Sequence, residues 1–118
     1  MKILGVAIAA VLLFPSTASA EWIPVASSQG NQVLIEDSSI ENLGNMVIYW
    51  QQDVLKKGKR VITQYQTDCY AGTTTSIKSS AFTSNGKRLN EIPYAPGTVR
   101  DNIPGTVGYA VQQLVCGN

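Results

Sequence analysis

The sequence predicts an α+β domain: an antiparallel sheet of five to six strands, with one C-terminal helix packed on it and disulfide-linked to a sheet strand. Three observations lead there. Short β-branched and aromatic runs alternate with period two between clusters of turn residues, from Trp22 to Ile92. After Thr106 the period switches to the i, i+3, i+4, i+7 spacing of a helix face. Only two cysteines occur, Cys69 at the end of a strand run and Cys116 at the end of the helical run.

The chain opens on Met1-Lys2, continues uncharged from Ile3 to Phe14, and reaches Ala18-Ser19-Ala20. A basic start, a short apolar core and a small-x-small site read as a secretory signal peptide, residues 1–20, cut after Ala20. The apolar run is shorter than the roughly 20 residues a membrane-spanning helix needs, so no span is expected after cleavage. What remains, residues 21–118, has the length of one domain.

Within it, Trp22–Ser27 and Gln32–Glu36 flank the turn formers Ser28-Gln29-Gly30-Asn31 and read as a hairpin. Asp37-Ser38-Ser39-Ile40 reads as a tight or 3₁₀ turn with Asp37 as side-chain cap, and Glu41–Asn45 as a second turn. Asn45–Asp53 is the clearest strand, with Met46, Ile48 and Trp50 on one face and Val47, Tyr49 and Gln51 on the other. Arg60–Tyr70 follows a lysine-rich connection. A bonded Cys69 must face inward, which sends Val61, Thr63, Tyr65 and Thr67 inward with it. Ala71–Thr83 reads as strand, Ser84-Asn85-Gly86-Lys87 as a hairpin turn and Arg88–Ile92 as its return strand. Tyr94–Pro104 reads as a long loop. Val107, Ala110, Val111, Leu114 and Val115 then form one helix face, with Thr106 as N-cap and Gly117 past the end.

Beyond Lys2 the chain carries eight basic and eight acidic residues, so no nucleic-acid partner is expected. Histidine is absent, which excludes Ser-His and Cys-His catalysis, and no metal site or cofactor is expected. Two cysteines in an exported chain form one disulfide, Cys69–Cys116, and a bonded sulfur is no nucleophile. Asp68 beside it is read as hydrogen-bonding loop backbone or the helix start. Lys56, Lys57, Lys59 and Arg60 are the one charge cluster, either a docking patch for a polyanion or acidic protein, or a solvated loop that protects sheet edges. Trp50 and Tyr65 are read as core. Tyr49 and Tyr70 are the aromatics expected to be exposed for contact.

Five segments in order carry a family resemblance: the Trp22 strand, Ile35-Glu36-Asp37-Ser38-Ser39-Ile40, Val47-Ile48-Tyr49-Trp50, Tyr65-Gln66-Thr67-Asp68-Cys69, and Ile103-Pro104-Gly105-Thr106-Val107 leading to Cys116. Together they resemble the surface-adhesin protein E family of small exported bacterial proteins. The resemblance implies the same sheet, helix and disulfide, a periplasmic or surface location, and contact with extracellular-matrix proteins. The chain departs from it in having no lipid-attachment cysteine and in placing Ala71-Gly72 and threonines, not basic residues, after Asp68-Cys69. The function read from all this is an exported, non-catalytic binding module for an extracellular or envelope protein or polyanion. The alternatives are an envelope-associated structural protein, dimeric through a sheet edge, and a small hydrolase.

Overall fold

The computed structural model describes residues 21–117; the predicted leader lies outside the described residues. The strands are β1 (Trp22–Ser28), β2 (Asn31–Glu36), β3 (Glu41–Leu43), β4 (Met46–Val54), β5 (Arg60–Asp68), β6 (Thr73–Phe82) and β7 (Val99–Asp101), and the helix is α1 (Val107–Val115). All pairings are antiparallel, in the order β1-β2-β4-β5-β6-β7. Short β3 shares an edge of β4 with β2: β2 pairs Gln51–Val54, and β3 pairs Met46–Ile48. The expected five to six strands become seven: the segments around Leu43 and Arg100, expected as turn and loop, each form a three-residue strand, while Arg88–Ile92 forms none.

A 3₁₀ turn, Asp37–Ser39, breaks the edge between β2 and β3. Its cap is Glu36 and not Asp37. The Glu36 carboxylate accepts hydrogen bonds from Ser38 N (3.2 Å), Ser38 Oγ (2.5 Å) and Glu21 N (3.0 Å). The Ser38 hydroxyl is the largest of the influences that hold its pKa below the ordinary 4.5, against the upward push of burial. Ser39 Oγ accepts from Trp50 N (3.0 Å), so the gap in the ladder leaves that donor satisfied.

The β1–β2 hairpin turns on Gln29 and Gly30, both at positive φ (53° and 84°), which suits a two-residue turn between twisted strands. The Asn85-Gly86 turn is present, with Gly86 N donating to Thr83 O (2.9 Å). Its return strand shrinks to one bridge, Phe82 to Arg88. The chain then crosses over and re-enters the sheet as β7. At the far edge, Pro24 and a bulge at Val25 interrupt β1, two devices that discourage pairing with a further strand.

Helix and core meet on one face. Val33, Ile35, Val47, Tyr49 and Tyr65 of the sheet pack with Val111 and Val115 of α1. Thr106 caps the helix by accepting from Tyr109 N (3.3 Å). Cys69 and Cys116 are bonded across 47 residues, with Cα atoms 5.9 Å apart. A second bulge, at Ile77, changes parity in β6. Thr74 and Ser76 before it, and Ser79 and Ala81 after it, therefore all face inward and are buried.

The inner face of β4 is Val47, Tyr49 and Gln51, which corrects the reading of Trp50 as core and Tyr49 as exposed. Tyr49 is 1% exposed and lies opposite Tyr65, while Trp50 is half-buried on the open face, with Lys78 Nζ 5.7 Å from its ring. Both faces of β4 are apolar, so composition leaves the choice open. The register decides it, because Tyr49 shares a side with Cys69.

Candidate functional site

Beside the helix, the inner face becomes a polar groove of about 330 Å³. Cross-strand rows explain its chemistry. Val33 and Val61 both pair with Asp53, so a carboxylate stands in an apolar row. Gln51 Nε2 donates to Asp53 Oδ1 (2.9 Å). Burial is the main cause of a pKa above the ordinary 3.8 at Asp53, partly offset by Gln51, by the positive field of Arg100 and by the Tyr94 phenol. Arg100 reaches this face because β7 pairs it with inward-facing Thr74. Its guanidinium lies 5.3 Å from the centre of the Tyr65 ring. Among the described residues no ion pair joins Asp53 to Arg100, and the one salt bridge is elsewhere. Burial also pushes the Tyr65 phenol up to about 12.

The groove's back wall is a buried hydroxyl chain. Tyr49 Oη meets Thr67 Oγ1 at 2.8 Å, and Thr67 Oγ1 meets Thr74 Oγ1 at 2.8 Å. Asn102 Nδ2 donates to Thr74 Oγ1 and to Gln112 Oε1, both at 2.9 Å, which ties sheet, crossover and helix together. Val107 and Val111 supply the apolar side.

The residues expected to bind fall in three places. Lys56, Lys57, Lys59 and Arg60 occupy the β4–β5 turn. Lys56 and Lys57 are exposed, Lys59 is paired with Glu91 (2.7 Å), and Arg60 donates to Ser84 O (3.4 Å). Half of that cluster is thus spent on the neighbouring turn and crossover. Tyr70 lies at the other end of the sheet, one strand length or about 25 Å away. It is 87% exposed. Leu43, 50% exposed, lies at the same end, since it pairs with Met46 and Met46 with Asp68. Tyr49 is in the core. Asp68 fixes the Tyr70 turn by accepting from Tyr70 N (3.0 Å) and Ala71 N (2.9 Å), the loop-backbone role expected of it.

Asp53, Tyr94, Arg100 and Asn102 were not singled out from the sequence. Asp53 carried a signal, as a charge in step with Tyr49 and Gln51 on one face of a strand. Arg100 carried none without β7.

The fold defines a small α+β module: one antiparallel sheet with a single helix stapled across it. The protein-family model for surface-adhesin protein E matches residues 22–117, and the chain belongs to that family. A solved structure of Haemophilus influenzae protein E (crystal form II) is similar, with a TM-score of 0.61 at 17% identity, over 86% of this chain and 98% of that one. At that identity the likeness is one of fold. No curated protein matches the chain. No helix among the described residues is long and apolar enough to cross a membrane.

Proposed function

We propose that this protein is an exported, non-catalytic binding module that holds an extracellular or envelope macromolecule at the sheet end carrying Tyr70. Membership of a surface-adhesin family supports the class of activity. The observation that carries the surface is Tyr70 itself. A large aromatic 87% exposed stands outside the core, and here its backbone is fixed by the hydrogen bonds of Tyr70 N and Ala71 N to Asp68 and by the adjacent disulfide. An aromatic with few χ angles on a fixed backbone loses little entropy when covered, which is why such residues dominate binding energies. Leu43 extends the patch. Lys56 and Lys57, at the opposite end, supply a second, salt-sensitive contact for a polyanion or acidic surface.

The test is surface plasmon resonance against immobilised extracellular-matrix proteins and sulfated glycans. Tyr70→Ala is expected to weaken saturable binding about tenfold with an unchanged Tm. A Lys56→Gln/Lys57→Gln double variant is expected to flatten the salt dependence. Unchanged affinity in Tyr70→Ala would overturn the assignment of the surface. Absence of saturable binding at low salt would overturn the adhesin reading in favour of an envelope-associated structural role.

A further inference from the structure

We propose that the groove between α1 and the inner sheet face binds a small zwitterion, a free amino acid or short peptide, with its ammonium at Asp53 and its carboxylate at Arg100. This site is separate from the Tyr70 surface and does not depend on it.

The two charges set the argument. Asp53 and Arg100 line one cavity of about 330 Å³, large enough for a small ligand. They sit on different cross-strand rows, Asp53 with Val61 and Arg100 with Thr74, so they face the cavity together without forming an ion pair. Asp53 is half-buried, receives a hydrogen bond from Gln51 and is flanked by Val33 and Val61, so it is a partly desolvated anion without a bonded cation. Arg100, exposed along β7, holds its guanidinium 5.3 Å from the centre of the Tyr65 ring, a cation–π contact, and no salt bridge to another described residue occupies its fork of donors. A fork held this way matches a carboxylate in bidentate fashion.

Charge balance then selects the ligand class. An anion alone would meet Arg100 but be repelled by Asp53. A cation alone would meet the reverse. A neutral polyol would cover both charges while neutralising neither, leaving the desolvation cost of Asp53 in place. A molecule with one charge of each sign, a few ångströms apart, answers both. Its apolar portion would lie against Val33, Leu55, Val107 and Val111. The Tyr94 phenol closes the Asp53 end.

Isothermal titration calorimetry on the protein at neutral pH tests this with leucine and glycyl-leucine as probes. N-acetyl-leucine keeps only the negative charge, leucinamide keeps only the positive one, and glucose carries neither. Saturable binding of leucine or glycyl-leucine is expected, weakened about tenfold or more in each singly charged analogue. Asp53→Asn and Arg100→Gln should each lose binding by a similar factor while melting cooperatively. Binding should also fall with acid as Asp53 protonates. The charged or titratable groups facing Asp53 are Arg100 from β7, Tyr94 from the crossover and Tyr65 from β5; burial raises both phenols above the ordinary 10, so they stay neutral in that range. Equal affinity for the singly charged analogues, preference for glucose, or no saturable binding of either zwitterion up to about 10 mM would overturn the proposal.

Discussion

Replacing Thr67 by valine probes the hydroxyl chain at the centre of the fold. The side chain keeps its shape and loses one oxygen. That oxygen is the partner of the Tyr49 phenol on one side (2.8 Å) and the Thr74 hydroxyl on the other (2.8 Å), and Thr67 is 0% exposed. Thr74 retains Asn102 as a donor, whereas Tyr49, 1% exposed, loses its 2.8 Å partner and keeps only the weaker influence of the Thr74 hydroxyl. Orphaning a buried hydroxyl costs about 1–3 kcal/mol, and the lost Thr67–Thr74 bond adds about 1 kcal/mol. The sum, about 2–4 kcal/mol, corresponds to a Tm lower by about 10–25 °C in a domain of this size. Differential scanning calorimetry of four proteins decides whether the reasoning holds: wild type, Thr67→Val, Tyr49→Phe and the double variant. Tyr49→Phe should cost about 1 kcal/mol in the wild-type background and should stabilise Thr67→Val, because it removes the orphan. A Thr67→Val protein as stable as wild type, or additive effects in the cycle, would refute the account.

Cys116→Ser should destabilise by about 4 kcal/mol, the chain-entropy value for a 47-residue loop, and reductant should lower the wild-type Tm while leaving the variant unchanged. Gly108→Ala would place a Cβ 2.8 Å from Asn102 Oδ1. Alanine's helix propensity favours the change by about 1 kcal/mol, but displacing Asn102 forfeits its bonds to Thr74 and Gln112, so Tm should fall, and a rise would refute the clamp. Glu36 has its folded pKa below 4.5, so its stabilisation is present above 4.5 and lost as pH falls through the lower folded value. Asp53 has the opposite sign: its folded pKa lies above 3.8, so ionisation weakens the fold. Denaturation from pH 7 to pH 3 in an Asp53→Asn background should therefore show stability falling in acid, a slope that Glu36→Gln removes; a slope that persists in Glu36→Gln would place the acid sensitivity elsewhere.

Much of this architecture is legible in the chain because each element announces itself by period or punctuation. Val107 to Val115 keeps helical spacing and Thr106 caps it; Arg60 to Asp68 alternates cleanly about an inward Cys69. What escaped has physical reasons. β7 is three residues whose side chains are all exposed, so no burial pattern marks it, and its pairing with β6 comes from a contact far along the chain. The inner face of β4 could not be chosen by hydrophobicity when tyrosine and tryptophan alternate on opposite sides. The groove was invisible for both reasons together, since Arg100 needs β7 and Asp53 needs the face of Tyr49.

Glu36 does more than close a turn. Its carboxylate receives the Glu21 nitrogen at 3.0 Å. A chain cut after Ala20, where the leader pattern puts the scissile bond, begins at that nitrogen, which is then an ammonium and no longer an amide. The same contact changes from a neutral donor on a carboxylate to a charge-assisted pair at the head of β1. A chain beginning at Glu21 would thus hold the head of β1 more tightly than one extended beyond it. Hydrogen exchange at β1, compared between a chain beginning at Glu21 and one extended by a few residues, reads that difference directly.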